Sequence, residues 1–141
     1  MKSNAEVRSY RDLVVWQKAM DLAVLAYELA GQLPKAELYG LTSQLQRSAV
    51  SIAANIAEGH GRETTGDYVR FLAISAGSLT ELETHLLLCE RLGLLTASDL
   101  EPALAVADEV GRMLRSLKRA LAEKQSFLAR ETDATYSIPS S

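Results

Sequence analysis

Leu41 to Gly61 reads LTSQLQRSAVSIAANIAEGHG, and two superimposed periodicities in it decide the fold. Leu41, Leu45, Ala49, Ile52 and Ile56 recur at steps of three and four, the spacing that lines one face of an α-helix. Gln44, Arg47, Ser51, Asn55 and Glu58 follow the same steps as a polar stripe on a second face. Ser48, Ala53, Ala54 and Ala57 lie between the stripes and are small enough to admit another backbone closely. A solvated stripe would be built from lysine and glutamate, because Ser and Asn are mediocre helix formers. The stripe is therefore expected to be partly buried, and buried polar groups need partners.

Working outward, a first helix is expected from a cap at Asp12 to a stop at Gly31, ahead of Pro34. Leu13, Trp16, Met20, Ala23, Tyr27 and Ala30 form one apolar seam in it, and Val15, Ala19, Leu22, Ala26, Leu29 and Leu33 form another beside it. A surface helix needs only one such stripe. The second is read as a subunit contact, with coverage inside a compact bundle as the alternative. The Leu41 helix is expected to close on the Gly59-His60-Gly61 cluster through a left-handed glycine.

A third helix runs from Thr64 or Thr65 to about Leu92, with Gly93 as its stop and a core seam of Tyr68, Leu72, Ser75, Leu79, Leu82, Leu86 and Cys89. Gly77 in its middle costs roughly 1 kcal/mol relative to Ala, which suggests close contact with a facing helix. In the fourth helix Ser98 and Glu101 fit a capping box, and Leu100, Ala103, Ala107, Val110, Leu114, Leu117 and Leu121 make the seam. Four such helices with short connections and no strand pattern predict an all-α, antiparallel up-down-up-down four-helix bundle that oligomerises through helix faces. The expected division is a flexible segment 1–11, the bundle 12–124, and a polar, disordered tail 125–141.

A chain of 141 residues with 48% hydrophobic residues fills one core, and its 6% aromatic content leaves Leu and Ala as most of the apolar mass. One cysteine excludes an intrachain disulfide, and no signal core or membrane-length apolar run is present, so a cytoplasmic protein without a membrane partner is expected. Net charge is -3, which weighs against a wholly nucleic-acid-binding surface.

Catalytic and metal-binding patterns are weak. A di-metal bundle needs several inward carboxylates and two Glu-x-x-His pairs, whereas Glu81 and His85 are four apart and His60 sits among glycines. Gly61-Arg62-Glu63-Thr64-Thr65-Gly66 has phosphate-loop glycine spacing, but Asp67 and Tyr68 follow where Lys and Ser/Thr are required. Cys89 falls on a leucine seam and reads as an inert buried thiol. The expectation is no enzyme and no cofactor.

Two surfaces remain. Gln44, Arg47, Ser48, Ser51, Asn55 and Glu58, facing Ser78 and Glu81, are expected to form a polar network or interface between helices or subunits, with Arg47, Asn55 and Glu81 hydrogen-bonded. A small-ligand or anion site made from the same groups is the alternative. Residues 112–130 hold six basic residues against Glu123 alone. Arg112, Arg115, Lys118 and Arg119 could therefore contact nucleic acid, although cations near a helix C-terminus also complement its dipole.

Leu13-x-x-Trp16-Gln17-Lys18-Ala19, Gln44-Leu45-x-Arg47-Ser48-Ala49-x-Ser51-Ile52-x-x-Asn55-Ile56-Ala57-Glu58-Gly59 and Gly77-Ser78-x-x-Glu81-Leu82-Glu83-Thr84 together resemble one bacterial family. It is the family of four-helix-bundle proteins first noticed as reading frames in intervening sequences of large-subunit ribosomal RNA genes, and the resemblance spans roughly residues 10 to 122. It implies a cytosolic bundle commonly assembled as a ring of five. The chain is also similar to the accessory protein of diversity-generating retroelements, a pentamer that binds a reverse transcriptase and nucleic acid. Those relatives are strongly basic, and this chain at -3 departs from them. The resulting expectation is a homopentameric assembly or adaptor module, with a nucleic-acid-binding accessory protein as the alternative.

Overall fold

The structure, a computed structural model, describes residues 6–136. Among them are four α-helices and no strand: α1 (Val14–Ala30), α2 (Leu41–His60), α3 (Thr65–Arg91) and α4 (Ala97–Tyr136). Each helix packs on the next in the chain, and α1 also packs on α4, which closes a four-helix bundle with α2 and α3 in the most extensive contact.

The seams supply the core. Val15, Ala19, Leu22, Ala26, Leu29 and Leu33 of the first are all buried, as are Leu45, Ala49, Ile52 and Ile56 of α2. Leu72, Leu79, Leu82, Leu86 and Cys89 meet them from α3, and Leu100, Ala103, Ala107, Val110 and Leu114 from α4. Each buried Leu or Ile is worth about 1.5–3 kcal/mol over its exposed state. Coverage inside the bundle thus accounts for the Val15 seam of α1. The seam through Met20 and Tyr27 is the one left open.

Several helix ends differ from the sequence expectation. Asp12 does not cap α1. Its carboxylate accepts from the Arg8 and Ser9 amides at 2.8 and 3.2 Å, closing a capping box around a short 3-10 turn at Tyr10–Asp12. Tyr10 then stacks edge-on against Trp16 at 5.2 Å, and Gln17 Nε2 donates to the Arg11 carbonyl at 2.9 Å. Residues 8–11 are accordingly tied to the start of α1, and residues 1–5 of the expected flexible segment lie outside the described residues.

The box opening α4 is Thr96 with Asp99, not Ser98 with Glu101. Asp99 N–H donates to Thr96 Oγ1 at 3.0 Å and Thr96 N–H to Asp99 Oδ2 at 2.9 Å. No left-handed glycine ends α2, since Gly61 has φ -82°. Gly93, after α3, is the described glycine with positive φ, at 73°.

The fourth helix also runs past the expected boundary at Lys124 to Tyr136. Half of residues 125–136 are Ala, Glu, Gln, Leu or Arg, which favour helix, and the first breaker in the sequence is Pro139. Residues 137–141 of the expected tail lie outside the described residues. With a rise of about 1.5 Å per residue, α4 is about 60 Å long and α3 about 40 Å. Gly66, at the start of α3, faces Gln125 of α4. Beyond that level residues 126–133 of α4 are exposed.

Candidate functional site

The α2–α3 seam carries the polar groups that the sequence singled out. Ser51 Oγ and Ser78 Oγ lie 2.7 Å apart. Asn55 Nδ2 donates to Ser51 Oγ at 2.9 Å and to the Ser51 carbonyl at 2.8 Å. Ser75 is fully buried and its hydroxyl donates to the Ile52 carbonyl across the interface at 2.7 Å. Ser48, also buried, returns its hydroxyl to the Gln44 carbonyl at 2.8 Å. Among the described residues no buried side-chain N or O atom lacks a partner. Short hydroxyls and amides with local partners are thus how this seam stays closely packed.

Arg47 and Glu81 stand outside that network within one chain. Both are exposed, and among the described residues neither takes part in an ion pair or side-chain hydrogen bond. A long charged side chain at the edge of a seam keeps its hydration by turning outward, which serine and asparagine are too short to do. Gln44 and Glu58 are exposed too, and Glu58 pairs with Arg62 at 3.2 Å.

The expectation for Gly77 also fails within one chain. A Cβ there would meet nothing within 4 Å, because the residue faces outward. The close approach is at Gly59 instead, where a Cβ would fall 2.8 Å from Phe71 Cβ and 3.1 Å from Tyr68 Cδ1. Around it His60 stacks edge-on against Tyr68 at 5.8 Å, and burial pushes the Tyr68 phenol up from its ordinary value. Arg62 and Arg70 lie 5.0 and 4.5 Å from the Phe71 ring centre. Asp67 pairs with both, at 3.8 and 3.7 Å, so this corner ties the end of α2 to the start of α3.

Beside the network lies an apolar surface. Met20, Val24 and Tyr27 of α1 and Val50 of α2 are each between 43% and 57% exposed. Met20, Ala23, Val24, Tyr27 and Glu28 line a groove of about 480 Å³. Tyr27 is shared with a second groove of about 440 Å³ that runs over Gln46, Arg47, Val50 and Ser51. The two grooves adjoin at Tyr27, and Ser51 and Arg47 line the second. The sequence could show that Met20 and Tyr27 were apolar but not that α1 would turn them away from the core.

The basic residues of α4 do not act as one field. Arg112 pairs with Asp108 at 3.3 Å and Arg115 shares a small cleft with Glu83 and Asp108. Burial, with Asp108 adding to it, pushes Glu83 up, and Arg115 partly offsets this. Lys118 is half-buried and Arg119 exposed. Cys89 is buried, and burial pushes its thiol up, with Glu37 adding to it. Among the described residues no three His, Cys, Asp or Glu side chains converge as a metal-holding group, and no helix is long and apolar enough to cross a membrane.

The chain belongs to the 23S rRNA-intervening sequence protein family, whose profile matches residues 11–116. A crystal structure of a protein with unknown function from the S23 ribosomal protein family of Bacteroides thetaiotaomicron is similar, with a TM-score of 0.70 and 27% identity. The match covers 74% of this chain and 98% of that one. Comparison with curated proteins gives no match.

Proposed function

We propose that this protein is a non-enzymatic assembly module whose copies pack through the α1–α2 trough, five to a ring, and which acts as an adaptor for other components. One observation carries the reading: Met20, Val24, Tyr27 and Val50 form a contiguous apolar surface beside a fully satisfied polar seam. Scattered exposed hydrophobics are ordinary, but a contiguous patch rimmed by polar groups marks an interaction site. Arg47 and Glu81, unpaired within one chain, are offered as polar contacts between copies. The count of five comes from the family resemblance.

Val24→Glu tests the reading by placing a charge in the trough without touching the core. The variant is expected to keep its unfolding midpoint and to fall from the assembled mass to that of one chain by light scattering. An unchanged mass would overturn the interface.

The alternative is nucleic-acid binding through α4, favoured by the exposed Arg119, Lys124 and Arg130. It requires affinity that falls steeply with salt and is abolished by charge reversal at Arg112, Arg115 and Arg119. The ion pair between Arg112 and Asp108 weighs against it.

A further inference from the structure

The connection between α1 and α2 ends in an aromatic side chain that nothing covers. Tyr39 is 94% exposed, beside Leu38 at 52%. Its mounting is nevertheless firm. Lys35–Glu37 forms a 3-10 turn, Leu38 N–H donates to the Lys35 carbonyl at 3.1 Å and Gly40 N–H to the Glu37 carbonyl at 2.9 Å. Glu37 Oε2 in turn accepts from the Leu41 amide at 3.4 Å. Leaving a tyrosine in water forgoes burial of about 150–250 Å², and tyrosines in that position are the residues most used as anchors between proteins.

The same chain carries a receptor for such an anchor. The groove of Met20, Ala23, Val24 and Tyr27 lies along the side of the bundle, whereas Tyr39 projects from its end, so both are open at once. Their charges are complementary. Asp21 and Glu28 are exposed on the groove's helix, and neither has an ion-pair partner among the described residues. At the foot of the tyrosine, Lys35 is exposed and equally unpaired, while the Glu37 carboxylate is engaged on its own backbone.

We propose that Tyr39 of one copy seats in the Met20–Ala23–Val24–Tyr27 groove of the next, with Lys35 of the first copy paired to Glu28 of the second. Unless it is reciprocated across a two-fold axis, a contact between two different surfaces is heterologous and propagates around a closed ring or along a filament. The inference rests on the assembly reading above and adds the occupant of the groove and the direction of assembly.

The cross-linking arm of the test leaves Tyr39 and the apolar residues of the groove intact. Cys89 is the single cysteine and is buried, so introduced surface thiols report alone. Lys35→Cys and Glu28→Cys chains, distinguishable by mass, are co-expressed as full chains and treated with a short bismaleimide. Cross-links joining one chain of each kind are expected, and Tyr39→Ser should weaken assembly at least about tenfold while Tyr39→Phe preserves it. Cross-links only between like chains would overturn the proposal, since they place Lys35 beside Lys35 or Glu28 beside Glu28 and not Lys35 beside Glu28. An assembled particle with no cross-link, and with Tyr39→Ser assembling normally, would overturn the seating and leave the assembly reading standing. A particle of single-chain mass would overturn both.

Discussion

Ser51 and Ser78 touch hydroxyl to hydroxyl at 2.7 Å, and through that contact α2 is registered on α3. Ser51 simultaneously accepts from Asn55, so one oxygen joins an intrahelical bond to an interhelical one. Alanine at either serine is expected to cost about 1 kcal/mol, the usual net worth of one such bond. The double variant should cost less than the two singles added together, because the shared bond is lost only once. Urea denaturation with an unchanged slope measures this, and strict additivity would show that the pair does not couple.

Two glycines on the two helices should respond in opposite senses. Gly59→Ala places a Cβ 2.8 Å from Phe71 Cβ, a contact that neither backbone can accept unmoved. The expected loss is about 1–3 kcal/mol, as for other overpacked sites. Gly77→Ala meets nothing within 4 Å in one chain and should gain about 0.5–1 kcal/mol in folding free energy. If Gly77→Ala also lowers the assembled mass, that residue lies in the contact between copies.

The acid response has two opposed parts. Backbone hydrogen bonds hold Asp12 and Asp99 below their ordinary values. Their contribution is therefore present above the unfolded carboxylate range and lost as pH falls through the lowered folded values. Asp99→Asn should flatten the loss of stability below about pH 4. Glu83 has the opposite sign: pushed up by burial and Asp108, it favours the fold while protonated and loses that contribution as pH rises through its folded value. Relative to wild type, Glu83→Gln should gain stability between acid and neutral pH. Paired thermal melts across that range check both.

Truncation separates the bundle from the overhang of α4. A chain ending at Lys124 keeps every buried core residue, since among the described residues none lies beyond Leu114. Its unfolding midpoint is expected to stay within a few degrees of the full chain, with a smaller helical signal by circular dichroism. A collapse in the midpoint would show that the overhang packs on the bundle.

Much of the architecture was legible because apolar spacing is a direct record of burial. The seams from Leu45 to Ile56 and Leu100 to Leu114 read correctly from the sequence, whereas the seam from Val15 to Leu33, read there as a subunit contact, is covered inside the bundle. Helix ends were less legible, because Asp12, Thr96 and Ser98 are all competent caps and the backbone geometry selects among them. The candidate site was legible only in its short residues. Serine and asparagine side chains are too short to turn out of the seam, so Ser51, Asn55 and Ser78 could be read from their position. Arg47 and Glu81 can turn toward water at little cost, and a periodicity carries no record of which way they turn. Gly59 and Gly77 look alike in sequence, and only the packing of Phe71 and Tyr68 distinguishes them.

The open trough along Met20, Val24, Tyr27 and Val50 is the feature on which the assembly account stands. Light scattering on the eluting peak of the full chain, at micromolar concentration and moderate salt, measures it most directly. The account predicts a particle of five 15.4 kDa chains. A particle holding at 15.4 kDa across a hundredfold range of concentration would contradict it.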